Sequence, residues 1–538
     1  MTEPNLVTRV GTGVTPAKAG TQQGPPQPWR ARVISLLRYH WLFGLLLAAG
    51  LVLRVLTLVA YRPALIYVDT LKYLYGSYPG SDPRGYTAVL KAILAVGDLT
   101  TVALIQHLLG LAMAVTLYAV LLRRGANRWL AAIAVVPVLL DGYQLQIEQL
   151  IMPDVWFEAL IVAGLAVLLW RPVVTVPFAA AAGLSLGLSA TIKAEGEVMV
   201  LPAVILLLAA WGAWRRVLVS SAALIAAFLL PILAYCTVSY YQTGHFWLAH
   251  GRGTSGRLTG AADCATLKVP PDVRALCPTP AEQAQGPDWL QLSGRSPLYT
   301  APVPPGTTRT KLTGELDSAI LHQQPLRVAV AILRDSLHLF DVSRGHIQGV
   351  TPISRWQFQP GYATYPPWVN IRNGNVIVLG VQHYAFRPFH YQRLKPSYGG
   401  NAQVIRPLAS FLRDYQLSVG YTPGPVLALF TLAGVAGSVL VLVRRRAGPR
   451  VRMLGAACLL FTASAAVLLL VPDVLEFSWR YQLPALITLP PAGMLGIATW
   501  MALRKGSDAA PPPPSAQPTP SAQQPPSAQQ PPSEQPTP

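Results

Sequence analysis

The chain has 538 residues, of which 52% are hydrophobic and only 12% charged. Soluble domains carry about 25% charged residues, so this balance excludes an ordinary soluble fold and points to an integral membrane protein. The formal net charge of +19 does not indicate nucleic acid. Much of the excess lies in short basic clusters beside apolar runs, where such residues fix orientation in a bilayer.

The first 28 residues are polar and rich in Gly, Pro, Thr and Gln. No cleavable signal peptide is evident, and the first apolar stretch reads as an uncleaved anchor after a cytoplasmic segment 1–40. Ten spans are expected, near 41–61, 100–122, 129–147, 154–170, 174–192, 197–213, 217–241, 422–443, 451–471 and 481–503. The first seven form an N-terminal bundle, 41–241, and the last three a C-terminal group, 422–503. Basic residues at 30–38, 123–128, 171, 215–216, 444–452 and 504–505 then all fall on one face, which must be cytoplasmic. Both termini share that face. The loops 62–99, 148–153, 193–197, 242–421 and 472–480 lie outside the cytoplasm.

Loop 62–99 carries helical apolar spacing over 69–78 and 86–96, separated by Pro79-Gly80-Ser81-Asp82-Pro83. Two short interfacial helices are expected. Loop 242–421 is too long to be a plain connector. It holds an amphipathic candidate helix at 326–340, a strand-like run at 375–379, and dense aromatics over 356–391. A small irregular extracytoplasmic domain capping the bundle is expected. Cys264 and Cys277 lie in this loop, 13 apart, and are expected to form a disulfide in an oxidising compartment. Cys236 and Cys458 lie in apolar spans and read as core. The tail 504–538 repeats Ser-Ala-Gln-Gln-Pro-Pro and cannot form a core, so cytoplasmic disorder is expected. Abundant Ala, Pro and Arg suit a GC-rich bacterial genome.

Charged groups in or near spans cost about 2.5–3.5 kcal/mol each at a helix centre on insertion scales. Those present gather on the outer side, and Asp69 heads them. It reads either as a general base at the bundle mouth or as the N-cap of a juxtamembrane helix. Glu148 and Asp154 bracket Gln-Leu-Ile-Met-Pro, and together would orient an acceptor or hold a divalent cation. Asp154 also suits an N-cap. Lys193 would bind a lipid phosphate or simply snorkel at a helix end. Arg480 and Tyr481 suit a phosphate and a prenyl chain, or an ordinary aromatic belt. The nine histidines show no metal-ligand spacing. Gly251-Arg-Gly-Thr-Ser-Gly256 has no Walker lysine. No Ser-His-Asp arrangement stands out.

In order and placement these motifs are similar to those of polytopic GT-C glycosyltransferases. The resemblance is to the bacterial phospholipid carrier-dependent type related to protein O-mannosyltransferases and lipid A aminoarabinose transferases. It rests on Tyr67-Val-Asp69-Thr-Leu-Lys-Tyr-Leu after the first span, Asp82-Pro-Arg84-Gly-Tyr86, and Glu148 to Asp154. It also rests on Gly183-Leu-Ser-Leu-Gly-Leu-Ser-Ala-Thr-Ile-Lys193 and Arg480-Tyr481-x-x-Pro484. It covers about 40–240 and 420–500, and the long loop looks like that of actinobacterial members. Two departures are plain. Lysine stands at 193 where arginine is usual, which loses bidentate phosphate geometry. Asp69-Thr replaces a doubled acidic pair, which argues against a metal there.

The resemblance implies an all-α polytopic bundle in a bacterial plasma membrane, with an extracytoplasmic active site. A polyprenyl-phosphate-linked sugar would be attacked with inversion by an acceptor hydroxyl of a cell-envelope glycan, lipid or protein. Asp69 would take the proton. Lys193, Arg480, Tyr481 and Arg84 would hold the donor phosphate. Glu148, Asp154, Asp82 and Tyr86 would form the acceptor side or second acidic site. No cofactor is assigned, with the divalent cation left open. The competing readings are a lipid or solute transporter, whose buried charges would mark a path, and a non-catalytic envelope scaffold.

Overall fold

The structure is a computed structural model that describes residues 35, 38–74, 82–209, 214–249, 253–362, 369–372, 375–378, 397–444 and 448–504. The tail from 505, nearly all of the N-terminal segment, the linker 75–81, and most of the 356–391 aromatic run lie outside the described residues.

The protein is a predominantly helical, multi-pass membrane protein. Among the described residues, six helices are long and apolar enough to cross a membrane. They are α1 (Trp41–Ala60), α4 (Leu99–Arg123), α11 (Trp214–Thr243), α16 (Gly424–Val443), α17 (Pro449–Asp473) and α18 (Ala485–Arg504). The other expected spans are shorter helices: α8 (Asp154–Leu169), α9 (Val176–Ile192) and α10 (Val200–Ala209). The run expected as one span at 129–147 is broken into α5 (Arg128–Ala134), α6 (Val136–Leu140) and α7 (Gly142–Gln149). Pro137 cannot donate to the preceding turn. Asp141 then caps α7 by accepting from the Tyr143 amide at 2.9 Å.

Breaking a helix inside a bundle orphans carbonyls. Arg54 of α1 answers this. Its guanidinium donates to the Leu139 and Val138 carbonyls at 2.9 and 3.0 Å. Its charge is met by Glu148 at 2.7 Å. Residue 54 and residue 148 are both fully buried.

The Gly183-xxx-Gly187 spacing on α9 has an equally local cause. A Cβ at Gly183 would stand 2.1 Å from the Leu224 carbonyl, and one at Gly187 would stand 2.1 Å from that of Phe228. These glycines let α9 and α11 touch backbone to backbone. Gly187→Leu is expected to force the helices apart and lower the Tm of the purified protein by several degrees, whereas Leu184→Ala on the exposed flank should leave it unchanged.

Loop 62–99 supplies α2 (Val68–Leu74) and α3 (Gly85–Val96), the two short helices expected there. Loop 242–421 divides in two. Its first part contains α12 (Ser255–Ala261), α13 (Arg309–Gln323) and α14 (Pro325–Leu337). It has a core of its own around Leu258, Leu267, Leu276, Leu312, Leu316 and Ile320, closed by the Cys264–Cys277 disulfide. Its second part joins the main bundle. Trp356, Phe358, Tyr398 and Leu412 belong to the bundle core. β1 (Tyr61–Arg62) pairs antiparallel with β4 (Gln403–Val404), and β2 (Val369–Arg372) pairs with β3 (Asn375–Val378). α15 (Arg406–Ser418) then leads into α16. The end of the bundle that carries these segments is its loop face.

Candidate active site

The site at the loop face grows from four chain segments. The first is α2. Leu65 forms a parallel bridge with Leu150. The Thr70 hydroxyl accepts from the Tyr67 amide and donates to the Ile151 carbonyl, both at 3.0 Å. These bonds pin α2 to the 149–152 crossing. The helix begins at Val68, so Asp69 lies inside the first turn rather than capping it. Its carboxylate turns to Lys72 at 3.2 Å and to Arg480 at 3.1 Å.

The second segment is the start of α8. Pro153 occupies the N-cap position and no side chain caps the helix. The Asp154 carboxylate therefore serves other partners. Arg480 grips it with Nε at 3.0 Å and Nη2 at 2.9 Å, a two-point geometry that only a guanidinium offers. Lys193 donates to Asp154 Oδ1 at 3.2 Å, sharing that oxygen with Arg480 Nε.

The third segment is the end of α9, where Lys193 is the C-cap. Its ammonium lies over the Phe157 and Tyr481 rings at 5.3 and 5.0 Å and near Glu195 at 3.8 Å. The fourth is the 474–484 connection, which carries Arg480 and Tyr481. The roof comes from the long loop: Trp356 lies over Tyr67 at 4.8 Å and over Arg480 at 5.7 Å. Arg355 reaches the Tyr67 hydroxyl at 3.4 Å.

Arg480 is thus the hub. Burial opposes its charge, but Asp154, Tyr481 and Asp69 more than offset that and raise its pKa well above the ordinary value. Burial, reinforced by the Asp69 charge, likewise keeps the Tyr67 phenol protonated far above the usual range. Exposure separates the two aspartates. The Asp69 side chain is 28% exposed and that of Asp154 only 5%. Asp69 is therefore the carboxylate of this pair that an incoming group can reach.

Of the remaining expected residues, Asp82 adjoins the site and Arg84, Tyr86 and Glu148 pack elsewhere. Asp82 pairs with Lys72, which links it to Asp69 through one ammonium. Arg84 offers its amide to the Tyr235 hydroxyl at 2.9 Å. Next to it, a Cβ on Gly85 would stand 2.3 Å from the Thr191 carbonyl, so α3 docks onto the end of α9 just before Lys193. Tyr86 is fully buried and donates to Gln106 at 2.8 Å. Gln106 in turn donates to the Glu148 and Leu150 carbonyls at 2.8 and 2.7 Å. Tyr86 therefore braces the 148–152 crossing from behind and does not line the mouth.

Glu148 does not join Asp154 in an acidic pair. Its two oxygens are taken by Arg54 at 2.7 Å and His107 at 2.8 Å. A Cβ at Gly110 would fall 2.1 Å from one of them. Arg54, held by the carbonyls freed where α6 ends before Asp141, and His107 keep Glu148 inside the bundle as part of the scaffold. Among the described residues, no group of three or more His, Cys, Asp or Glu could hold a metal ion. Removing one partner of a buried pair costs about 3–5 kcal/mol. Glu148→Gln is therefore expected to lower thermal stability sharply while leaving the activity per folded molecule near that of wild type. A fully stable Glu148→Gln protein would sink the scaffold role.

Lys72, Arg355, Trp356 and Phe157 escaped sequence reasoning as site residues. Lys72 left a signal, three residues after Asp69 on a helix. Trp356 opens the aromatic run of the loop expected to cap the bundle, but nothing local says that it and Arg355 would meet Tyr67 and Arg480.

No family model matches this chain, and no curated protein matches it. Among solved structures, it is similar to the S. cerevisiae protein O-mannosyltransferase Pmt1–Pmt2 complex bound to the sugar donor. The identity is 18% and the TM-score 0.30, over 42% of this chain and 38% of the other. It is also similar to ArnT from Cupriavidus metallidurans bound to undecaprenyl phosphate. There the identity is 14% and the TM-score 0.31, over 86% of this chain and 78% of that one. The apo state of the same ArnT gives 16% identity and a TM-score of 0.32, over 85% and 76%.

Proposed function

We propose that this protein is a GT-C type membrane glycosyltransferase that moves a sugar from polyprenyl phosphate to an acceptor hydroxyl. The loop face is taken as extracytoplasmic, both termini as cytoplasmic, and the membrane as the bacterial plasma membrane. The observation that carries the reading is one guanidinium, Arg480, held between a buried aspartate and a reachable one.

The chemistry follows from that geometry. A sugar phosphodiester leaves as a phosphate, which needs positive charge rather than a proton donor. Arg480, backed by Lys193, supplies it. Asp154 fixes both cations by accepting from each. The donor phosphate competes with Asp69 for the Nη1 side of Arg480. Phosphate entry then releases the Asp69 carboxylate from Arg480, with Lys72 still beside its other oxygen, and it takes the acceptor proton as the hydroxyl attacks the anomeric carbon with inversion. Trp356 roofs the sugar, with Tyr67 packed against it. Lipid-facing apolar flanks of the bundle receive the prenyl chain. Asp82, through Lys72, sets the tilt of α2.

The test is transfer in proteoliposomes from labelled polyprenyl-phosphate sugars to envelope fractions, with Asp69→Asn as the blank. Sugar transfer by wild type alone supports the reading. Movement of the intact lipid across the bilayer without glycosyl transfer would favour a transporter.

A further inference from the structure

Helix α14 carries two apolar faces. One is inward. Val328 is buried in the separate core of the first part of loop 242–421, the outer subdomain. Ser336, near the C-terminal end, is buried as well. The other is outward and bare: Leu326, Val330, Leu333 and Leu337 are 74%, 55%, 53% and 52% exposed. Their spacing of four, three and four residues puts them in one stripe along the whole helix. Arg327 and Arg334, seven apart, follow one flank of that stripe.

The helix is fixed at the level where spans end. The Ser336 hydroxyl donates to Asp473, the last residue of α17, at 2.5 Å. A few residues on, a Cβ at Gly424, the first residue of α16, would stand 2.2 Å from the Asp341 carbonyl. Arg257 of α12 pairs with Asp335 at 2.6 Å and ties the same turn to the outer subdomain. At the end of α17 that α14 meets, Leu470 and the C-cap residue Val474 are also 40% and 39% exposed. An apolar stripe of this length at this height fits the acyl boundary, with flanking arginines at the phosphate level.

We propose that α14 is an interfacial helix that lies in the leaflet on the loop face, in contact with anionic headgroups. It would set the height of the outer subdomain above the bilayer. This inference is independent of the transferase reading.

The test uses full-length protein in vesicles of phosphatidylethanolamine and phosphatidylglycerol, three to one. Spin labels are placed at Val330→Cys and Leu333→Cys, with Lys311→Cys on α13 as the aqueous control. At 330 and 333, collisions with oxygen should exceed those with a water-soluble nickel chelate, and at 311 the ratio should reverse. Nickel exceeding oxygen at 330 and 333 would place the stripe in water and overturn the proposal. Low collision with both agents would show a protein partner covering it, which overturns the proposal equally. Should a labelled variant fail to reconstitute, Leu333→Trp gives a second reading. Doxyl lipids labelled near the headgroup should quench its fluorescence, and unchanged fluorescence counts against the proposal.

Discussion

Replacing Asp69 by asparagine is expected to cut sugar transfer by about 10²- to 10⁴-fold, the range a positioned general base contributes. The fold should survive. Asp69 and Lys72 are both partly exposed, and pairs of that kind contribute about 1 kcal/mol or less. Arg480 keeps its two-point grip on Asp154 without Asp69, so no buried charge is stranded. Asparagine also preserves the shape and accepts from Arg480 through its carbonyl. The loss should therefore fall on kcat, with donor binding retained or tightened, because the phosphate no longer competes with a carboxylate for Arg480. The measurement is a paired one: single-turnover transfer and binding of a labelled polyprenyl phosphate, both on protein of matched Tm. Turnover within twofold of wild type would remove Asp69 from the base role. Equal loss of binding and turnover would make Asp69 a binding residue instead.

Long apolar helices were legible because apolarity over about 20 residues has one structural meaning. The residues of the mouth were legible for a related reason. Asp69, Asp154, Lys193 and Arg480 are charges placed beside spans, where charge is expensive and calls for a partner. What the sequence hid was the pairing. Glu148 and Asp154 sit six residues apart and looked like one site. The helix end before Asp141 left the carbonyls that hold Arg54, which takes Glu148, while Arg480, more than three hundred residues away in sequence, took Asp154. Arg54 itself, inside the first span, drew no attention in sequence, since the carbonyls that hold it exist only once 129–147 is seen to break. The partners of Trp356, which opens the expected aromatic run of the capping loop, were hidden by distance as well. Its loop returns to the bundle through a two-residue strand pair, 61–62 with 403–404, too short for any periodicity to register.

Arg480 separates electrostatic positioning from mere packing, and two substitutions draw the distinction. Arg480→Met leaves Asp154 buried with Lys193 as its remaining cation, and breaking such a pair costs about 3–5 kcal/mol. A clear drop in Tm and loss of transfer are expected together, so this variant alone cannot separate fold from function. Arg480→Lys can. An ammonium keeps the charge and meets Asp154 at one point, but it has no second edge to offer Asp69 or an incoming phosphate. Most of the stability should return, while donor affinity falls about tenfold or more, the effect of about 1.4 kcal/mol. A cycle with Asp154→Asn completes the test. Because the two side chains share hydrogen bonds, Asp154→Asn should cost much less in the Arg480→Met background than in wild type, with a coupling of about 0.5–3 kcal/mol. Additive losses would mean that the contact seen here does not hold the two groups in solution. Full donor affinity in Arg480→Lys would mean that the phosphate is held elsewhere, with Lys193 as the next residue to change.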